Sequence, residues 1–231
     1  MKFDQYTLFA QIPAGLLSMV PLIILHHFYI NPDLDGLLIT IFKITWVENI
    51  TLLVVFVLMA TELSRQLSKS LLETFYFKGR LYLPTTNALM HESDRFTTNF
   101  KQRIDDKLFN NFQVHLPNSQ EQRRNEVKSR KKIAEAVKLI IAKVGKGKLV
   151  IVRNTQYGFS RNIIGASIIG LILSVFNIWF FNTIFINHPA VNISIVLCLV
   201  YILPIIFSKW LVNYTGNLYA EKLFEEYLAT P

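Results

Sequence analysis

Cysteine and charge are both scarce in this chain of 231 residues, and each scarcity excludes a class of protein. The one cysteine, Cys198, lies in an apolar run, so no disulfide can form within the chain and no thiolate metal cluster can be built from it. Charged residues make up only 17% of the chain, whereas hydrophobic residues make up 52%. That composition is too apolar for a soluble domain, whose surface must be mostly polar.

Two long stretches, residues 5–32 and 162–208, contain no Asp, Glu, Lys or Arg. A charged side chain at the bilayer centre costs roughly 2.5 to 3.5 kcal/mol on insertion scales, so charge-free runs of this length predict membrane-spanning helices. Asn187, His188 and Pro189 interrupt the second stretch where a tight turn is needed. The predicted spans are residues 8–29, 163–186 and 190–212.

A fourth span is predicted at residues 37–60, although this segment contains Lys43 and Glu48. If the helix begins near Leu37, Glu48 lies about 16 Å deep, close to the bilayer centre, and faces a polar cavity or pore. If it begins near Trp46, both charges lie at the outer membrane interface, which Trp favours. The sequence leaves both alternatives open.

Basic residues are concentrated in one part of the chain, since residues 61–162 hold twenty of the twenty-four Lys and Arg. Basic loops stay on the cytoplasmic side, so we expect this segment and both termini to be cytoplasmic. The sequence predicts an all-α membrane protein, with four transmembrane helices as two hairpins and a mainly helical cytoplasmic domain inserted between them. The expected boundaries are 1–61 for the first hairpin, 62–160 for the cytoplasmic domain, 161–212 for the second hairpin and 213–231 for a cytoplasmic tail.

Apolar residues at four-residue spacing predict two helices in the first part of the cytoplasmic domain. A third helix, from Ser119 to Gly145, is expected to begin with a capping box of Ser119 and Gln122. The β-branched run 148–153 predicts a strand, which would form a short β-hairpin with residues 80–83. The apolar stripes are Leu63, Leu67, Leu71 and Phe75 in the first helix, and Phe96, Phe100, Ile104, Leu108 and Phe112 in the second.

A dense basic run opens the helix predicted after Ser119. Beside a membrane such runs attract anionic headgroups at about 1 kcal/mol per residue, and this interpretation is favoured. Contact with a nucleic acid is the alternative, but the aromatic residues that would stack on bases belong to the neighbouring helix core. The predicted lipid- or partner-binding residues are Arg123, Arg124, Lys128, Arg130, Lys131 and Lys132.

Small residues repeat every four positions in the third predicted span, at Ala166, Gly170 and Ser174. Such stripes let membrane helices approach closely, so this one closes the bundle of a single chain or joins several chains into a homo-oligomer. Asn177 follows on the same side and needs a hydrogen-bond partner on another helix. With Glu48 and Asn182, it is a candidate polar residue for lining a pore.

Catalytic chemistry is not indicated by any motif. His26 and His27 are adjacent and point about 100° apart on a helix, so they cannot chelate one metal ion together. His91, Glu92 and Asp94 are better explained as residues at a helix start, where carboxylates favour the helix dipole. We therefore expect no enzyme activity, no metal site and no cofactor.

Two segments, LPTTN at residues 83–87 and NTQYGFSRN at residues 154–162, resemble a group of small bacterial membrane proteins found in anti-phage loci. Some of that group are transmembrane effectors of retron systems. The resemblance implies an effector held silent by a reverse transcriptase with its DNA-RNA hybrid. It matches Pro84, Thr85, Thr86 and residues 157–162, none of which is catalytic.

The expected function is that of a bacterial inner-membrane effector in anti-phage defence. A cytoplasmic sensor would release it, and its helices would oligomerise and permeabilise the membrane. The alternative is a scaffold or accessory subunit that recruits a cytoplasmic partner to the membrane without conducting ions.

Overall fold

The computed structural model describes residues 5–30 and 50–231, and every regular element in those ranges is helical. A short π-helical segment, Thr7–Gln11, leads directly into the first α-helix. The α-helices are α1 Ile12–Ile30, α2 Ile50–Phe75, α3 Pro84–Ala88, α4 Thr98–Phe112, α5 Ser119–Arg124, α6 Glu126–Val144, α7 Lys148–Thr183, α8 His188–Ile206 and α9 Ser208–Ala229.

The chain divides into two compact units. The apolar unit consists of Met1–Ser70 and Gly158–Ser208, and the basic unit of Leu71–Tyr157 and Lys209–Pro231. The basic unit carries 19 Lys and Arg against 11 Asp and Glu, a difference of plus 8. The boundaries between the units fall inside α2 and α7 and after the first residue of α9.

Three helical segments within the described residues are long and apolar enough to cross a membrane: Thr7–Tyr29, Lys148–Thr183 and His188–Ile206. This agrees with three of the predicted spans and corrects the predicted number of four. At 36 residues, α7 is about 54 Å long, well beyond the thickness of a bilayer core, so only part of it would span.

The fourth predicted span is the one that is not found. Residues 37–49, including Lys43 and Glu48, lie outside the described residues. From Ile50 onward, α2 carries Glu62, Arg65, Lys69 and Glu73, which leave its apolar first part too short to qualify as a span by itself.

In the apolar unit, α2 packs through small polar residues. Thr61, Ser64 and Ser68 are buried, whereas Leu63 of the predicted apolar stripe is 53% exposed. The Ser68 hydroxyl donates a hydrogen bond to the carbonyl oxygen of Arg161 in α7. The helix was thus predicted correctly, but its buried face was not, because close backbone approach selects small side chains over Leu.

Glycines make those close approaches. A β carbon on Gly15 of α1 would lie 2.8 Å from the α carbon of Thr61, and one on Gly165 of α7 would lie 2.9 Å from the backbone nitrogen of Ser68. No larger residue fits at these crossings without moving a backbone. The apolar unit is therefore held together by tight contacts of α1 and α7 with α2.

The basic unit is built around α9, most of which the sequence analysis treated as a tail. Leu223, Phe224 and Tyr227 are fully buried, and the Phe224 ring meets the edge of Phe96 at a centroid distance of 5.8 Å. Asn111 of α4 donates a hydrogen bond to the Tyr227 hydroxyl at 3.0 Å. Residues 209–229 are thus an integral core helix of this unit.

The predicted strand was wrong. Residues 148–153 form the first turns of α7, residues 80–82 form a turn, and no strand occurs in residues 5–30 or 50–231. Val150 is 1% exposed, so its burial against other helices satisfies the apolar pattern that suggested a strand.

The helix predicted from Ser119 is in fact two helices, because Asn125, with φ −153° and ψ 86°, interrupts it. The capping box is present one residue earlier than predicted, with Asn118 as the cap and Glu121 as its partner. Gly145 follows α6 as predicted. Similarly, α4 begins later than the helix start predicted near Asp94, because Thr97 caps it.

Candidate functional site

A proline in the middle of α1 leaves one backbone carbonyl without its helical partner. Pro21 has no N–H, so the carbonyl oxygen of Leu17, four residues earlier, cannot form the usual intrahelical hydrogen bond. The Tyr201 hydroxyl of α8 donates a hydrogen bond to that oxygen at 2.6 Å. A side chain of another helix thus satisfies a backbone group that would otherwise be unpaired in an apolar environment.

Two asparagines of α7 make similar bonds to the N-terminal helical region. The Asn177 side chain donates to the carbonyl oxygen of Pro21 at 2.7 Å, and that of Asn162 donates to the carbonyl oxygen of Ala10 at 2.9 Å. Both asparagines are almost fully buried, with exposed fractions of 1% and 4%. We refer to the bonds from Asn162, Asn177 and Tyr201 as the polar latch of α1.

The predicted small-residue stripe lies inside this arrangement. Ala166, Gly170 and Ser174 are all buried. A β carbon on Gly170 would lie 2.5 Å from the Tyr201 ring, so glycine is what lets that ring lie against α7. Within the chain, the stripe thus packs against α8 at Gly170.

The other candidate pore residues are placed differently. Asn182 is exposed, near the end of α7, and takes no part in the polar latch. Glu48 lies outside the described residues. Of the two candidates that the structure describes, Asn177 belongs to the polar latch and Asn182 does not.

The structure separates the six residues of the predicted basic run into three sets. Arg124, Lys128 and Lys132 line an open groove of about 440 Å³ at the junction of α5 and α6. Glu121, Asn125 and Ser129 complete its lining. A Glu121 carboxylate oxygen lies 3.6 Å from the Lys132 ammonium nitrogen, so the groove holds three positive charges and one negative charge.

Arg130 belongs to the interior of the unit. Its guanidinium donates to the Glu126 carboxylate at 2.7 Å and to the Asn87 side-chain oxygen at 2.6 Å, and it stacks on Tyr82 at 3.9 Å. The hydrogen bond from Arg130 lowers the pKa of Glu126 below its usual value. Arg123 and Lys131 are exposed but do not line the groove.

The two segments that carry the family resemblance meet at one point of the basic unit. A β carbon on Gly216 of α9 would lie 2.5 Å from Pro84 and 2.9 Å from Tyr157. Tyr157 is only 7% exposed and stacks on Tyr219. Pro84 and Tyr157 therefore pack the core, as do the buried Thr85 and Thr86.

Tyr201 and Pro21 were not singled out from the sequence, and Asn162 was named only as part of the matched segment 157–162. A proline within a predicted span signals an orphaned carbonyl four residues before it, and a tyrosine within an apolar run is a natural donor for it. The same reasoning holds for Pro204, which stands within α8 as Pro21 stands within α1.

Residues 5–30 and 50–231 contain no group of three or more His, Cys, Asp or Glu side chains that could hold a metal ion. The two constellations described above, the polar latch and the basic groove, are therefore the candidate sites. Comparison of the chain with protein-family models, with curated proteins and with solved structures finds no match.

Proposed function

We propose that this protein is a membrane effector whose apolar unit is a closed bundle in the resting state and opens to permeabilise the membrane. The polar latch is the observation that supports this proposal most directly. Three side chains from α7 and α8 are bonded to carbonyl oxygens of one N-terminal helical region, so all three can be released by displacement of that region.

The energetics of the latch suit a two-state bundle. Interhelical hydrogen bonds in membranes average about 0.6 kcal/mol, because each group also finds partners when it is released. Three such bonds sum to roughly 2 kcal/mol, which is within the range by which a bound partner shifts a conformational equilibrium. In the open state, the side chains of Asn162 and Asn177 would face water instead of donating to carbonyl oxygens of the N-terminal helical region.

The proposed setting follows the family resemblance and the charge distribution. The protein would lie in a bacterial inner membrane with both termini in the cytoplasm and would act in anti-phage defence. Its basic unit would dock a cytoplasmic sensor, with a reverse transcriptase carrying a DNA-RNA hybrid as the partner that the resemblance implies. Release of that sensor would allow the helices to oligomerise. The proposed function involves no enzymatic reaction.

A second candidate is a non-conducting scaffold that recruits a partner to the membrane. The observation in its favour is that Asn162, Asn177 and Tyr201 are all satisfied by backbone carbonyls within a single chain. A bundle with its polar groups paired in this way can also serve as a permanent anchor.

Overexpression combined with a membrane-potential dye distinguishes the two functions. The informative variant is Asn177→Ala, which removes the bond to Pro21, and its matched control is Asn182→Ala, an exposed asparagine of the same helix. For an effector, we expect wild type to depolarise cells, N177A to do so earlier, and N182A to behave as wild type. Normal potential and growth for wild type and N177A, at equal amounts in the membrane, would establish the scaffold instead.

A further inference from the structure

We infer that the groove at the junction of α5 and α6 binds the phosphate of an anionic phospholipid headgroup. The inference concerns a different unit from the polar latch and does not require the bundle to open. It rests on the charges and shape of the groove, on what is missing from its lining, and on the membrane spans in the same chain.

Three cations converge on the groove from two helices. Lys128 and Lys132 are one turn apart on α6, and Arg124 is the last residue of α5. All three side chains are exposed. Arginine offers a planar fork of donors and lysine a compact charge, and both are standard ligands of phosphate oxygens.

The size of the groove favours a compact anion. Its volume of about 440 Å³ is near the lower end of small-molecule clefts. The break at Asn125 makes this concavity possible, because a continuous helix would have presented the basic residues along a convex face. Arg130, which faces the interior, does not extend the positive surface.

The chemistry of the lining argues against a single-stranded nucleic acid. All six lining residues are polar or charged, and none is aromatic. Proteins that bind single strands stack bases on aromatic side chains, each worth about 1 to 3 kcal/mol, and this groove offers no such platform. The same chain has three helical segments long enough to cross a membrane, which keeps anionic lipid at high local concentration.

Glu121 acts as an internal competitor in this scheme. One of its oxygens is 3.6 Å from Lys132, while the other accepts a hydrogen bond from the Asn118 backbone N–H at 3.1 Å. A phosphate at Lys132 would displace the first contact and leave the second intact. Glu121→Gln should therefore strengthen lipid binding, since glutamine keeps an acceptor for the cap but removes the competing charge.

Hydrogen exchange of the full chain in lipid nanodiscs tests the inference. Wild type in discs of phosphatidylcholine with increasing phosphatidylglycerol should show slower amide exchange over residues 121–132 than in phosphatidylcholine alone. The double variant Lys128→Gln/Lys132→Gln should bind phosphatidylglycerol roughly 30-fold more weakly, taking about 1 kcal/mol per lysine. Its protection should be absent at lipid fractions that saturate wild type.

The matched control is Lys131→Gln/Lys138→Gln, which removes the same charge from exposed positions of α6 outside the groove. This variant should keep the protection, and E121Q should reach it at a lower phosphatidylglycerol fraction than wild type. Equal loss in both double variants would overturn the inference, because it would indicate diffuse attraction. Protection that requires added single-stranded DNA and ignores phosphatidylglycerol would also overturn it.

Discussion

The Tyr201 hydroxyl donates its hydrogen bond to the one carbonyl of α1, that of Leu17, which Pro21 deprives of an intrahelical partner. The proline and the tyrosine are therefore coupled although 180 positions separate them in the chain. Each residue compensates for a cost that the other would otherwise impose, since an unpaired carbonyl and an unpaired hydroxyl are both unfavourable in an apolar environment.

This coupling can be measured with a double-mutant cycle. Tyr201→Phe alone should lower the free energy of unfolding by about 0.6 to 1.7 kcal/mol, the range of interhelical hydrogen bonds in membranes. In a Pro21→Ala background the residue 21 N–H is restored, so Y201F should cost much less. Unfolding in mixed detergent micelles provides the measurement, with the exposed Tyr214→Phe as control. An equal loss of unfolding free energy on Y201F in both backgrounds would show that Pro21 and Tyr201 are not coupled.

The crossing of α7 over α2 makes a second prediction. A β carbon on Gly165 would overlap the Ser64 carbonyl oxygen and would lie 2.9 Å from the Ser68 backbone nitrogen. Gly165→Ala should therefore destabilise the protein by about 1 to 3 kcal/mol through overpacking. Gly79→Asn is the comparison, because Gly79 has φ +68°, which asparagine tolerates, and open space around it. Similar losses of thermal stability in both variants would argue against a tight crossing.

The burial of α9 predicts that its residues behave as core and not as tail. Phe224→Ala should cost about 3 to 5 kcal/mol, as expected when a fully buried aromatic ring is truncated. Glu225→Ala, at the neighbouring exposed position, should stay within about 0.5 kcal/mol of wild type. The readout is hydrogen exchange over α4 and α6 in the full chain, which should accelerate only for F224A.

The Glu126–Arg130 pair makes the stability of the basic unit pH-dependent. Arg130 lowers the pKa of Glu126, so the folded state favours the ionised carboxylate. The contribution is present above the unfolded pKa and is lost as the pH falls through the lower folded pKa. Glu126→Gln and Arg130→Gln should both flatten the loss of stability on acidification, measured by urea unfolding across the acid range. If the free energy of unfolding fell with acidification as steeply in both variants as in wild type, the pair would not contribute to stability.

The elements that the sequence predicted correctly are those with strong local patterns. The charge-free runs identified the regions of α1, α7 and α8, and the strict four-residue spacing identified α4, with Ile104 and Leu108 fully buried. Hydropathy and periodicity are properties of a short window, so they are readable without the tertiary structure.

The predictions that failed depended on long-range packing. The β-branched residues at 148–153 are helical because they continue into α7, and burial overrides their local preference. The division of the basic run depended on the break at Asn125, which directs Arg130 toward Asn87 and Lys128 toward the groove. A missed signal was available in α9, where Tyr219, Leu223 and Tyr227 repeat every four residues.

The position of α9 in the chain also determines when, during translation, the core of the basic unit can be completed. Phe224 is translated 67 residues after Tyr157, the last residue of the central segment of the basic unit. At about 5 to 20 residues per second, that interval is roughly 3 to 13 seconds. During this interval the ribosome makes most of α7 and all of α8. Phe96 and its neighbours remain uncovered until α9 has been synthesised. The core of the basic unit is thus completed only after the apolar helices α7 and α8 have been synthesised.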